Sequence, residues 1–319
     1  MTIKKVGIIG QGFVGTALKE AFSPHYEIFT YDKFRDDLST CSSAESVARK
    51  CGFDSIIFVC VPTPMKYDGS CDTSIVEEVC DSISYGGLAE GFPSIWPEHS
   101  ETIIVVKSTI PPGTTKKLRW KDGCRSHSFP IVFNPEFLIE KTATEDFKNT
   151  KRVILGGRTD NEPLWFEEER QGYMTHMNWG SILREFYLKV FPDADIIETD
   201  STTAEFVKYI TNCFLATKVA VANEFALLCD SCGVSYDKVI EYATQDERLG
   251  KSHWAVPGPD GKKGFGGSCF PKDLNGIIAF AKELSGKPVA TNTLEGAWKT
   301  NLKVRPEKDW EMLKGRAVV

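Results

Sequence analysis

Ile3-Lys4-Lys5-Val6-Gly7-Ile8-Ile9-Gly10-Gln11-Gly12-Phe13-Val14-Gly15 reads as a short apolar strand that turns through three glycines into the helical pattern Thr16 to Phe22. This is G-x-G-x-x-G in the context that gives it meaning, between a strand and a helix. Gly10 allows the tight turn, Gly12 lets a pyrophosphate approach the backbone, and Gly15 permits close packing of helix on strand. Phe13 and Val14 fill the variable positions of the loop. A second strand, Glu27 to Tyr31, ends at Asp32, where a carboxylate can accept from an adenosine ribose 2′-hydroxyl and repel a 2′-phosphate. NAD is therefore expected over NADP, although Lys33 and Arg35 just beyond soften that preference.

Outward from this unit, strand-like runs recur at Ser55 to Val61, Thr102 to Lys107, Phe129 to Phe133 and Arg152 to Leu155. Strands alternating with helical segments predict an α/β fold, a Rossmann-like doubly wound parallel sheet. Ligands of such sheets sit outside the carboxyl ends of the strands. Those ends read Cys60-Val61-Pro62-Thr63-Pro64, Lys107-Ser108-Thr109-Ile110-Pro111-Pro112-Gly113-Thr114 and Asn134-Pro135-Glu136-Phe137-Leu138-Ile139-Glu140. Each pairs rigid proline with small polar or acidic groups; a proline-terminated strand is the plainer reading for any one of them.

After Glu198-Thr199 the pattern changes to one long helix, from about Thr202 to Cys232, opening a mainly helical domain. Thr202 and Glu205 have capping-box spacing, and Gly233 supplies a stop. Val207, Ile210, Phe214, Val221, Phe225 and Leu228 form an apolar stripe suited to a domain junction and a homodimer interface. Lys208 and Asn212, four apart, share a face, which taken by itself reads as solvent-exposed. The expected division is 1–198 for nucleotide binding and 199–312 for the helical domain.

Within the helical domain lies Gly264-Phe265-Gly266-Gly267-Ser268-Cys269-Phe270-Pro271-Lys272-Asp273. Pro271 stands where a helix would begin; the helix N-terminus and Lys272 both favour a thiolate at Cys269. Asp273, four residues on, could serve as acid or base. The plainer reading is a buried cysteine in a glycine turn.

Composition limits the alternatives. The 319 residues are 41% hydrophobic and 26% charged, enough for about two domains with ample core. A net charge of −6 gives no electrostatic reason to expect nucleic acid or an anionic membrane as partner. No apolar run or signal-like start suggests a membrane span or export, so a cytoplasmic protein is expected. Ten scattered cysteines read as reduced thiols, and Cys229 with Cys232 as a helix-end pair. The five histidines show no ligand spacing, and no metal is expected. Residues 86–100 read as a surface excursion and Glu167-Glu168-Glu169-Arg170 as a solvated helix face.

Taken together, GQGFVG, VPTP, KSTIPPGT, NPEFLIE, the Lys208/Asn212 helix and GFGGSCFPKD resemble the nucleotide-sugar 6-dehydrogenase family in order, from about residue 3 to 285. The resemblance implies oxidation of a sugar C6 alcohol to a carboxylate with two NAD per turnover, and the Cys-Phe-Pro-Lys-Asp form favours UDP-glucose as substrate. It implies Cys269 as nucleophile, Lys208 and Asn212 as oxyanion stabilisers, and Asp273, Thr109 and Glu136 as handlers of water and protons. It puts Val61, Pro62, Thr63, Thr109, Glu140 and Lys272 beside the cofactor, with Gly10, Gly12, Phe13, Val14, Gly15 and Asp32. It assigns Phe137, Leu138, Lys208, Asn212, Arg248, Phe265, Gly266 and Gly267 to the substrate. Departures are Lys141, where glycine is usual, and His253-Trp254, where a tyrosine or phenylalanine near the sugar nucleotide is usual. Full-length relatives continue into a second Rossmann-like domain that binds the uridine diphosphate; Leu313 to Val319 resembles its first strand. Other nucleotide sugars, a non-catalytic NAD-binding paralogue and a single-oxidation hydroxyacid dehydrogenase are the competing expectations.

Overall fold

The computed structural model describes residues 3–86, 102–121, 124–125, 130–157, 179–284 and 289–319. Most of the 86–100 excursion, Phe129 and the whole Glu167–Arg170 run lie outside these residues. The chain divides into two compact units, one comprising the chain up to Pro62 with Thr73–Lys208, the other Thr63–Asp72 with Tyr209–Val319.

The first unit alternates β1 (Lys5–Ile9), α1 (Phe13–Phe22), β2 (Glu27–Tyr31), α2 (Ala44–Cys51), β3 (Ser55–Val59), α3 (Ser74–Gly86), β4 (Ile103–Val106) and α4 (Thr114–Arg119). It continues with β5 (Ile131–Phe133), α5 (Ala143–Lys148), β6 (Arg152–Gly157), α6 (Trp179–Val190), β7 (Asp195–Asp200) and the start of α7 (Ser201–Ser231). The strands form one sheet in the order β2-β1-β3-β4-β5-β6-β7. Alternate residues feed two cores, as the two-residue period of a strand requires. Ile8, Ile56, Phe58 and Val105 meet Leu18 and Phe22 of α1 and Phe186 of α6 on one face. Ile9, Ile57, Val59 and Val106 meet Val47 of α2 and Val76 of α3 on the other. Every residue of β3 is buried, which explains its unbroken apolar run. The chain reverses direction across the sheet between β1 and β3, and the glycine loop sits at that switch.

Two sequence expectations change here. The sheet is not wholly parallel: β6 pairs antiparallel with β5, through Phe133 and Gly156, before β7 resumes parallel to β6. A 3₁₀ turn (Glu140–Thr142) and the short α5 lie between β5 and β6. Nor is there a capping box on α7. Asp200 caps it, accepting from the Thr203 amide at 2.9 Å and hydroxyl at 2.5 Å. Glu205 points elsewhere.

The second unit packs Tyr209, Cys213, Ala216 and Ala220 of α7 against Phe265, Leu274 and Ile278 of α9 (Phe270–Glu283) and Ala297 of α10 (Asn292–Val304); α8 (Tyr236–Ala243) precedes them. The buried side of α7 is thus its small-residue side. Of the expected stripe, Ile210, Phe214, Val221, Phe225 and Leu228 are exposed, whereas Val207 packs on the core of the first unit. By length and composition alone α7 is long and apolar enough to cross a membrane. Its other side, however, buries Lys208, Asn212, Lys218 and Asn223. Gly233 (φ 67°) ends it, with Val234 donating to the Cys229 carbonyl at 2.9 Å. Leu313 to Val319 forms a turn that bridges Met65, whose amide donates to Ala317 at 2.8 Å.

Candidate active site

The glycine loop is built as its residue types demand. Gly10 has φ 92°, and a Cβ there would collide with the Cys60 carbonyl. A Cβ on Gly15 would collide with the Gly10 carbonyl, whereas one on Gly12 meets nothing within 4 Å. Gly12 thus borders open space at the N-terminus of α1, where no side chain caps the helix amides. The Asp32 carboxylate accepts from the Gln11 amide at 2.6 Å and from Phe34 at 2.8 Å, which fastens the acid beside the loop. Arg35 is held by Asp37 at 3.1 Å. An open glycine at a helix N-terminus with a fixed carboxylate beside it fits a dinucleotide. The Gln11 Oε1, buried without a partner, adds an acceptor next to it. Phe13 and Val14 pack partly buried on the core, placing the first turn of α1. Val61 and Pro62 follow β3, and the Val61 carbonyl accepts from the Ser108 hydroxyl at 2.7 Å.

The loops after β4 and β5 carry a buried polar chain. Lys208 Nζ donates to the Glu136 carboxylate at 2.9 Å and to its carbonyl at 2.6 Å, and the Leu138 amide donates to the same carboxylate at 2.7 Å. Lys208 is 3% exposed and Glu136 8%, so the lysine is not the solvated residue that its spacing alone suggests. Burial pushes the Glu136 carboxyl up, but Lys208 and the Leu138 amide outweigh it and the net is downward. Behind them Lys107 donates to Asn134 at 2.8 Å, and Tyr187 donates to the same oxygen at 2.5 Å. Burial drives the Lys107 ammonium down to about 8, against the pull of Cys60 and Glu136. Lys107, Asn134, Glu136, Phe137 and Arg152 border a cavity of about 250 Å³. Thr109 is buried in its loop, while Glu140 is exposed on a short 3₁₀ turn.

In the second unit Cys269 is the N-cap of α9, partly exposed, with its Sγ 3.8 Å from the Ser268 hydroxyl and Pro271 in the first turn. The Asp273 carboxylate, 1% exposed, accepts from Asn212 Nδ2 at 2.6 Å and pairs with Lys272. Burial alone would lower the Lys272 ammonium; Asp273, with Cys269 and Cys71, reverses this and raises it. Lys272 is therefore a fixed positive charge one turn from the thiol. The glycine loop ahead of Cys269 rests on residues that the sequence reading missed. Asn301 bonds both the amide and the carbonyl of Phe265, at 2.7 and 2.9 Å, and Asp309 accepts from Gly267 at 3.2 Å. Arg305, 2% exposed, holds Asp309 at 2.7 Å and Asp260 at 2.5 Å. A Cβ on Gly266 would strike Arg305 and Asp309, so the second glycine is a packing requirement. Only the Arg305/Asp309 spacing of four was visible beforehand. Arg248 is exposed and paired with Asp246, and Thr63 is buried. Among the described residues no His/Cys/Asp/Glu group has the arrangement of a metal site.

Residues 36–170 match the NAD binding domain, and residues 202–302 the central domain, of the UDP-glucose/GDP-mannose dehydrogenase family. The first part of the chain is therefore an NAD-binding domain. The chain is 34% identical to UDP-glucose 6-dehydrogenase of Rickettsia bellii over 251 residues, which are 78% of this chain and 49% of that protein. It is 28% identical to a Bacillus subtilis UDP-glucose 6-dehydrogenase over 332 residues, 95% of this chain and 64% of the relative. It thus spans about half the length of the first relative and less than two thirds of the second. The solved structure of a UDP-glucose dehydrogenase from Pyrobaculum islandicum matches 98% of this chain and 71% of its own, with a TM-score of 0.74 and 26% identity. A UDP-D-ManNAc dehydrogenase from Pyrococcus horikoshii, at 23% identity and a TM-score of 0.65, supports the fold alone. With both of its domain patterns matched in order along one chain, this protein belongs to the UDP-glucose/GDP-mannose dehydrogenase family.

Proposed function

We propose that the protein is an NAD-dependent dehydrogenase that oxidises the C6 alcohol of a nucleotide sugar to a carboxylate, with UDP-glucose as substrate. The observation that carries this reading is Cys269 at the N-cap of α9, with Lys272 and the Asn212-held Asp273 one turn on. The Gly10–Gly15 loop and Asp32 would hold two NAD molecules in turn, each of which would take one hydride. The first oxidation leaves an aldehyde, which gives up no second hydride readily. Attack by the Cys269 thiolate on the aldehyde carbon forms a thiohemiacetal, whose oxygen takes a proton. Its oxidation yields a thioester, and water then releases the carboxylate and restores the thiol. Lys208 and Asn212 are assigned to the developing oxyanion, and Asp273, Thr109 and Glu136 to the water and its protons. Phe137, Leu138, Arg248 and the Phe265–Gly267 loop are assigned to the sugar nucleotide, Glu140 and Lys272 to the cofactor side.

In this reading 1–198 bind NAD, 199–312 form the central domain and 313–319 resemble the first strand of the relatives' further domain, in a cytoplasmic protein. A second copy of the chain is proposed to cover the exposed stripe of α7, where Ile210, Phe214, Val221, Phe225 and Leu228 fall on one narrow face. Phe214→Glu with Phe225→Glu should then give a monomer by light scattering; an unchanged mass speaks against the helix as interface.

The deciding measurement is NADH yield with UDP-glucose. Two NADH per sugar support the four-electron reaction; one NADH points to a single oxidation. A panel with GDP-mannose and UDP-N-acetylhexosamines identifies the sugar, and NAD binding without turnover of any of them marks a non-catalytic protein. Cys269→Ala should stall at the aldehyde level and Cys269→Ser should lose net turnover to acid. Full acid production by Cys269→Ala refutes the thioester route.

A further inference from the structure

Glu205 is fully buried on α7, one helical turn before Lys208. Its carboxylate accepts from the Gly113 amide at 2.5 Å, the Thr115 amide at 2.8 Å and the Thr115 hydroxyl at 2.6 Å. Gly113 and Thr115 bracket the start of α4, so the far end of the Lys107–Gly113 loop is tied to α7 through a single side chain. The near end is tied to the sheet, where Lys107 and Ser108 amides donate to the Val59 carbonyl and the Ser108 hydroxyl to Val61. Between the two ties lie Thr109 and the fully buried Ile110. One turn further along α7, Lys208 ties down the loop after β5 through Glu136. Two charged residues on successive turns of one helix thus hold the two strand-end loops.

The tie carries a desolvation cost. Burial pushes the Glu205 carboxyl up to about 7, although the three donors and Arg119 all pull it down. Arg119 is the charge that bears on it from the facing helix, and its guanidinium is occupied by the Ile131 carbonyl at 2.8 and 3.0 Å. An apolar residue in this place would avoid the desolvation but could not grip two amides and a hydroxyl.

We propose that Glu205 is a positioning residue, which sets the Thr109 loop in register with Lys208 and Glu136 for the reaction proposed above. The inference rests on that dehydrogenase reading for its catalytic consequence and on the three hydrogen bonds for its structural one.

The test uses Glu205→Gln, similar in shape but offering a single acceptor oxygen and an amide that opposes the donors, and Glu205→Asp, which keeps the carboxylate. Hydrogen exchange at Gly113 and Thr115 should accelerate about tenfold or more in Glu205→Gln, as expected for loss of a charged hydrogen bond. The amides of β1 and β3 should keep wild-type protection. In steady-state NADH formation kcat should fall by about tenfold or more while KM for the sugar nucleotide stays within about threefold, and Glu205→Asp should recover part of kcat. If Glu205→Gln does not fold, Thr115→Val, which deletes one donor and leaves the carboxylate, takes its place with a smaller loss. Wild-type exchange at Gly113 and Thr115, or wild-type kcat in a folded variant, overturns the proposal. A wild-type protein that oxidises no sugar nucleotide refutes the dehydrogenase reading instead, and the exchange measurement then decides the tie by itself.

Discussion

Asn212 donates to the Asp273 carboxylate at 2.6 Å, and both side chains are buried. With Lys272 on the other side, Asp273 is held by one neutral and one charged donor. Such a carboxylate is fixed in orientation, which suits the proton-handling role proposed for it.

Replacing Asn212 with Ala should therefore cost stability as well as turnover. A buried hydrogen bond to a charged group contributes about 1.5–3 kcal/mol, and that is the expected loss in denaturant unfolding. Asn212→Asp is the sharper variant. It places a second carboxylate against the first, so its pKa is raised above the unfolded value. Its stability is then highest below the unfolded carboxylate range near pH 4 and falls as pH rises. Equal stability of Asn212→Asp and wild type at pH 7 would show that the two groups do not face each other.

The pair Lys208–Glu136 predicts the opposite pH dependence. Glu136 is held below the usual carboxylate range, so its contribution is present above the unfolded value of about 4.3 and lost as pH falls through the folded one. Lys208→Met keeps the volume and leaves Glu136 buried alone, a loss of about 3–5 kcal/mol at pH 7. The gap between wild type and variant should shrink as pH falls, beginning above the unfolded value of about 4.3, where the unpaired Glu136 of the variant takes up a proton, and continuing as the wild-type Glu136 is protonated. A gap that stays constant from pH 7 to pH 3 refutes the pairing.

Lys107 carries a prediction at the alkaline end. Its ammonium is pushed down to about 8 by burial, whereas the unfolded chain titrates near 10.4. Between these values the unfolded state holds the extra proton, so the cost of burying Lys107 falls as pH rises. Lys107→Met escapes that cost. Its advantage over wild type should be largest below pH 8, up to roughly 3 kcal/mol, and should diminish toward pH 10. An advantage that grows with pH has the wrong sign for a buried lysine.

The contrast between Glu205 and the glycine loop shows where sequence reading reaches its limit. Gly10, Gly12 and Gly15 act on atoms a few residues away or on the backbone of the next strand, so their spacing carries their meaning. Asp32 was readable for the same reason, as the end of the second strand. Glu205 had the spacing of a capping box with Thr202, but its partners lie 90 and more positions away in sequence. Lys208 likewise finds Glu136 across 72 positions. Buried charges look like surface charges until the fold supplies the partner. The antiparallel step between β5 and β6 was hidden because a buried apolar strand has no directional signature. Arg305 and Asp309 were overlooked because support for the Cys269 loop comes from beyond α10.

Gly12 borders open space whereas Gly15 is packed against the Gly10 carbonyl, so substitutions there predict different outcomes. A Cβ on Gly15 would collide with the Gly10 carbonyl, and backbone gives way far less than a flexible side chain. Gly15→Ala should therefore destabilise the protein without any ligand, by about the 1–3 kcal/mol typical of overpacking, seen as a lower melting temperature. A Cβ on Gly12 meets nothing within 4 Å, so Gly12→Ala should melt as wild type or slightly higher, since alanine costs less backbone entropy in folding. The same methyl occupies the space in which a pyrophosphate would approach the amides of α1. NAD affinity, measured by calorimetry, should fall by about tenfold or more in Gly12→Ala. Wild-type NAD affinity in Gly12→Ala would place the pyrophosphate elsewhere on the sheet, whatever the melting curve shows.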